Sequence, residues 1–195
     1  MSAELQTTDD LWSALEQAGA TARYSKLLHL VTIEGLAPFF EVAPRVMQKP
    51  DIIAPLILEP NWRVTLSGTA LAVLVWSERL VQPMIERLVQ GSWVAPQLAA
   101  GIAFLLGDTA DLSPLRQLLE SCKSTSDPKT VMSAYAALAL KHDPAARTFE
   151  RTELFSMLWR LDDVRCYQLA ARWHGIWSVA GPYFHRRIGT PDPAV

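Results

Sequence analysis

From Val64 to Ser77 the chain runs fourteen residues without a charge, and on a helix those residues are apolar on nearly every side. A helix of that kind has no face to offer water and must be covered all round by other elements. Asn61, a favourable N-cap, stands at its start. Ala99 to Leu106 repeats the pattern, and the stretch between them, Glu78 to Val89, is amphipathic. A chain that alternates fully apolar and half-apolar helices builds layers of helix on helix. The composition supplies the cover: half the residues are hydrophobic and 19% are charged, and 195 residues suffice for one domain with a real core. That balance excludes disordered, collagen-like and low-complexity chains.

Strand signals are scarce, since no period-2 alternation bounded by Asn-Gly or Asp-Gly turns occurs. Helix starts are plentiful. Asp9-Asp10 precedes Leu11, Trp12 and Leu15 at helical spacing, and Gly19 closes that helix. Ser92 with Pro96, Ser113-Pro114 and Asp127-Pro128 each place a capping residue and a first-turn proline together. Asp143-Pro144 reads as a turn, Thr152–Leu161 and Val164–Val179 as the last helices, and Gly181-Pro182 as coil. A run with Leu27, Leu28, Leu30 and Val31, then a helix near Pro38, lie in a first region cut by Pro44, Pro50, Pro55 and Pro60. The expectation is a single all-α domain over residues 1–195. It has an irregular helical region at 1–60, stacked helical hairpins at 61–180 and a coil tail at 189–195.

The hairpins carry a weak internal repeat. Asn61-Trp62-Arg63 with Leu66 matches Ser92-Trp93-Val94 with Leu98, an offset of 31, and Asp127-Pro128 before Ala134 to Leu138 follows about 34 residues on. Small residues at Gly68–Ala72 and Ala99–Ala103 let neighbouring helices approach closely. With Gly107-Asp108-Thr109 before Leu112-Ser113-Pro114-Leu115, and Ser126-Asp127-Pro128 before an Ala-rich helix, residues 61 to about 180 resemble the HEAT-like α-helical repeats. The resemblance implies an α-solenoid or α-α superhelix that binds another macromolecule along a groove.

Chemistry-bearing motifs are missing: no GxGxxG, Walker loop, HExxH or GxSxG occurs. His29, His142, His174 and His185 form no i, i+3 or i+4 pair, and Cys122 and Cys166 stand 44 positions apart without a CxxC partner. The sequence therefore assigns no catalytic residue, no metal site and no cofactor, and leans away from an enzyme. Cys122 beside Lys123 is expected to have a slightly lowered pKa. The acidic Met1–Asp10 segment is unlike a signal peptide, and Leu88–Gly107, uncharged over 20 residues, is broken by Gly91 and Pro96. A protein of a reducing cytoplasm, off the membrane, is the expectation.

Partner-binding candidates come from the tryptophans and the carboxylates. Trp62 and Trp93 start equivalent helices and read as hairpin-corner locks or hot-spot contacts, with Arg63 beside Trp62 a contact or a cation stacked on the indole. Trp173 and Trp177, at i and i+4, read as one buried stripe. Asp162 and Asp163 read as N-cap and first-turn residues of the last helix and as candidate contacts. Charge has a direction: four basic against eight acidic residues in 1–60, five against five in 61–126, nine against seven in 127–195. The leading expectation is a non-enzymatic module that binds another protein. In type, though not in residues, it is similar to bacterial immunity proteins that neutralise a basic toxin domain. The competing expectation is a HEAT-like nucleic-acid-binding protein or DNA-repair glycosylase-type enzyme, using Arg147, Arg151, Arg160, Arg165, Arg172, Arg186 and Arg187 with Trp159 and Asp162. The overall charge of −2 argues against nucleic acid.

Overall fold

Five helices begin on a side chain that accepts from the first turn, as backbone donors left open at a helix start require. Thr7 and Asp10 form a capping box at α1 (Thr8–Gln17), Asn61 caps α4 (Trp62–Val75), and Asp127 caps α8 (Pro128–Leu140). Asp143 caps α9 (Pro144–Glu150) and Thr152 caps α10 (Glu153–Leu161). Asp143-Pro144 is thus a helix start as well as a turn. The other helices among the described residues are α2 (Ala37–Val42), α3 (Ala54–Leu58), α5 (Val81–Val89), α6 (Ala95–Leu105), α7 (Ser113–Ser121) and α11 (Cys166–Ile188). The computed structural model describes residues 4–23, 33–106 and 110–189. Leu27–Val31 with His29, Gly107-Asp108-Thr109 and the tail after Gly189 lie outside them. Among the described residues there is no strand.

The three helices apolar all round, α4, α6 and α8, lie side by side in one row. The starts of α4 and α6 are joined through Arg87, which donates to Gly91 O and Pro60 O, those of α6 and α8 through Lys129 over the Trp93 ring, and the ends of the three through Trp76 on Phe104 and Lys141 Nζ on Leu106 O. The row is therefore parallel. Within α4 two buried hydroxyls are satisfied by the helix itself: Ser67 and Thr69 donate to carbonyls four residues back, at 3.0 and 2.8 Å. Close approach is built in at Gly68, where a Cβ would stand 2.9 Å from Ile57 N of α3.

The amphipathic α5 and α7 cover one side of the row, and α11 covers the other, running against α6, α8 and α4. It is 23 residues long and passes straight through Gly181-Pro182, the pair expected to be coil. Proline inside a helix costs about 3 kcal/mol, but here the helix gains a packed end. Gly181 meets the Trp76 and Phe104 rings, and Phe184 stacks on Phe40 at 5.6 Å. His185 Nε2 lies 3.0 Å from the Leu74 carbonyl oxygen. Trp173 and Trp177 are buried together, 5.0 Å apart, as their spacing predicts. The proline-cut region supplies short pieces, α2, α3 and 3-10 turns, that close the edge beside α4. Together these layers enclose one continuous core and make a single all-α domain.

Candidate binding surface

The parallel row starts at one end of the molecule, and that end gathers residues far apart in sequence. Trp62 opens α4, with Arg63 N donating to Asn61 Oδ1 at 3.1 Å, and the Arg63 guanidinium lies 4.5 Å over the Trp62 ring. Trp93 does not lock a corner. Val94 N donates to Ser92 Oγ at 3.3 Å, and that turn sends Val94 into the core while Trp93 points out, 79% exposed. Lys129 Nζ sits 4.7 Å over its ring. Beneath the two tryptophan loops Arg87 is buried, its guanidinium 2.6 Å from Gly91 O and 3.4 Å from Pro60 O.

Lys129 leads on to the start of α11. Cys166 Sγ is 3.7 Å from Lys129 O, and Asp162 holds the helix start, accepting from Cys166 N at 2.7 Å and from its thiol at 3.1 Å. Asp162 therefore caps, but from four residues ahead, because Arg165 with φ of 55° turns the chain between them. Asp163 is exposed beside it. Burial, with the Asp162 carboxylate adding to it, holds the Cys166 thiol protonated with its pKa pushed up to about 12. Burial also raises the Cys122 thiol, against the lowering expected from Lys123. The two cysteines are unpaired.

Of the seven large apolar side chains that stand exposed among the described residues, five sit at this end: Val89, Trp93, Trp159, Leu161 and Val164. The other two, Val179 and Tyr183, lie on the outer face of α11. All five residues singled out in the sequence, Trp62, Arg63, Trp93, Asp162 and Asp163, therefore share one end of the fold.

Trp159 divides two hollows there. One, of about 490 Å³, is lined by Trp159, Arg160, Asp162, Asp163, Arg165 and Gln168. The other, of about 550 Å³, lies on the flank between α8, α9 and α10, and includes Tyr135, Glu150, Phe155 and Trp159. The rings of Tyr135, Phe155, Trp159 and Tyr167 form a closed circuit, with successive centroids 5.1, 5.4, 6.4 and 5.7 Å apart. Tyr135 OH donates to Glu150 Oε1 at 2.6 Å. Burial and then that carboxylate push the Tyr135 phenol above its ordinary pKa, so it stays a donor.

Tyr135, Glu150, Phe155 and Lys129 were not legible as site residues. They come from three helices, α8, α9 and α10, that only the fold brings together, and Phe155 with Trp159 at i, i+4 was the one local signal. No cluster of three or more metal-ligating side chains occurs among the described residues, and no helix of those residues is long and apolar enough to cross a membrane. No family model, curated protein or solved structure matches this chain.

Proposed function

We propose that this protein is a non-enzymatic binding module that docks another protein on the end where α4, α6 and α8 begin. The observation that carries the reading is the crowding of exposed apolar side chains there, led by Trp93 and Trp159. Aromatic residues in that setting are the usual anchors of protein interfaces, and monomeric surfaces rarely gather them without a partner. A groove along the inner row is a poorer candidate, because α11 fills it. In its narrower form the reading is a cytoplasmic immunity protein that occludes a basic toxin domain, with the acidic excess of residues 1–60 steering the encounter.

The test is co-expression with the product of the neighbouring gene. A complex that survives size-exclusion and is lost in Trp93→Ala combined with Trp159→Ala supports the docking end. Unchanged binding in that double variant refutes it, and a neighbouring product with no toxicity to protect against removes the narrower form. A second reading, nucleic-acid binding, is favoured by one observation: Trp159, Arg160, Asp162 and Arg165 line the same hollow. Salt-sensitive binding of a DNA duplex or single strand at low ionic strength is its signature, and no binding at low salt excludes it.

A further inference from the structure

We propose that the flank hollow between α8, α9 and α10 is a receptor for an arginine side chain of the partner protein. The inference rests on the protein-binding reading and gives that surface a chemical specificity.

Three observations converge on a guanidinium. The first is a fixed carboxylate. Glu150 is exposed, yet its Oε1 accepts from the hydroxyl of Tyr135, whose ring is buried and braced by Phe149, Phe155 and Tyr167. A carboxylate anchored through one oxygen keeps the other to receive a donor without losing side-chain freedom on binding. The second is the missing cation. Arg147 and Arg151 flank Glu150 on the same stretch of chain, but no lysine or arginine nitrogen comes within 4 Å of it among the described residues. Arg160, the other charged residue of the lining, is tied along its own helix, its Nε donating to Ser156 O at 3.2 Å. The third is the wall. Phe155 and the half-exposed Trp159 stand 5.4 Å apart, and the hollow of about 550 Å³ opens on them.

A planar guanidinium meets all three at once: it stacks on an aromatic face while its edge donates to a carboxylate. An ammonium is more strongly hydrated and has neither a planar face to lay on a ring nor a fork of donors for a carboxylate, so lysine is the poorer guest. The same geometry suits the narrower reading of a basic partner.

The experiment uses the full chain and a small probe, N-acetyl-arginine methylamide, followed through the Trp159 indole N–H in a 15N-labelled sample, the resonance being assigned by its loss in Trp159→Phe. The expected result is a saturable shift, weakened about fivefold or more in Glu150→Gln because a charge-assisted hydrogen bond is lost. Tyr135→Phe, which frees the carboxylate to move, is expected to weaken it about twofold to fivefold, and Arg151→Gln to leave it in place. The lysine analogue is expected to bind more weakly, and the neutral citrulline analogue not at all. Equal shifts with the arginine and citrulline analogues, an unaltered titration in Glu150→Gln, or no shift at the solubility limit of the probe overturns the proposal. Because the probe needs no partner, a failed co-expression test leaves this result to stand or fall separately.

Discussion

Trp173 and Trp177 on α11 are covered completely, whereas Trp93 is 79% and Trp159 39% exposed where the row begins. The residue type is the same and the two pairs lie in one small domain, so the difference comes from what the chain packs against each. On the long side of the inner row α11 supplies a whole helix of cover; at the end, Trp93 stands on a turn and Trp159 in the last turn of α10. Turns cannot cover apolar surface well because their own backbone groups need partners. The comparison teaches where to look for function in a stack whose broad face is already filled.

It is sharpened most strongly at Trp177. Trp177→Ala is expected to cost about 3–5 kcal/mol, because it opens a cavity between tightly packed helices, and urea unfolding should show it as a lower midpoint with a similar slope. A loss under 1 kcal/mol would mean that α11 covers the row only loosely. Next in size is Gly68→Ala. The added methyl meets Ile57 backbone at 2.9 Å, which has little room to give, and the expected loss is about 1–3 kcal/mol from overpacking. At the border of the two regions, Arg87→Met keeps the aliphatic stem but leaves Pro60 O and Gly91 O without their donor. About 1–3 kcal/mol is expected there, with faster hydrogen exchange at Trp62 and Trp93.

A pH test probes the covered side alone. His174 is half-buried against Phe104, and burial, with Lys141 adding to it, lowers its pKa. The folded protein thus holds the neutral ring. The unfolded chain takes up the proton first, so stability falls as pH drops below about 6.5, the ordinary imidazole value, toward the lowered folded value. His174→Gln should flatten that part of the stability profile, and an unchanged slope would contradict the assignment. Smallest of all is Trp93→Ser. An exposed side chain with one stacked lysine should change stability by less than about 0.5 kcal/mol. A large loss would place Trp93 in the core and end the distinction drawn between the two pairs.

Much of the row was legible because its signals are local. Asn61, Asp127 and Ser113-Pro114 mark starts that the chain obeys to within a residue, and the absence of charge in Val64–Ser77 already requires cover on every side. Gly181-Pro182 misled because a helix breaker acts locally, while Trp76, Phe104 and Phe40, which hold that stretch helical, lie over 70 residues away in the chain. Trp93 misled through the repeat: alignment equates it with Trp62, but Ser92 turns the backbone so that Val94 takes the inward place. Of the surface, the individual tryptophans and carboxylates were legible. Their convergence was not, since it depends on Arg87 and Lys129 joining loops that no spacing connects.

The position of α11 in the chain has a consequence for synthesis. The row it covers is complete at Leu140, but the helix that closes it ends at Ile188. At ribosomal rates of 5–20 residues per second, the intervening stretch takes about 2–10 s to emerge. During that interval the nascent chain carries an uncovered apolar surface made of α4, α6 and α8. Exposed apolar surface of that kind is what chaperones exist to shield, and a stalled or truncated product lacking α11 should be the species most prone to aggregate.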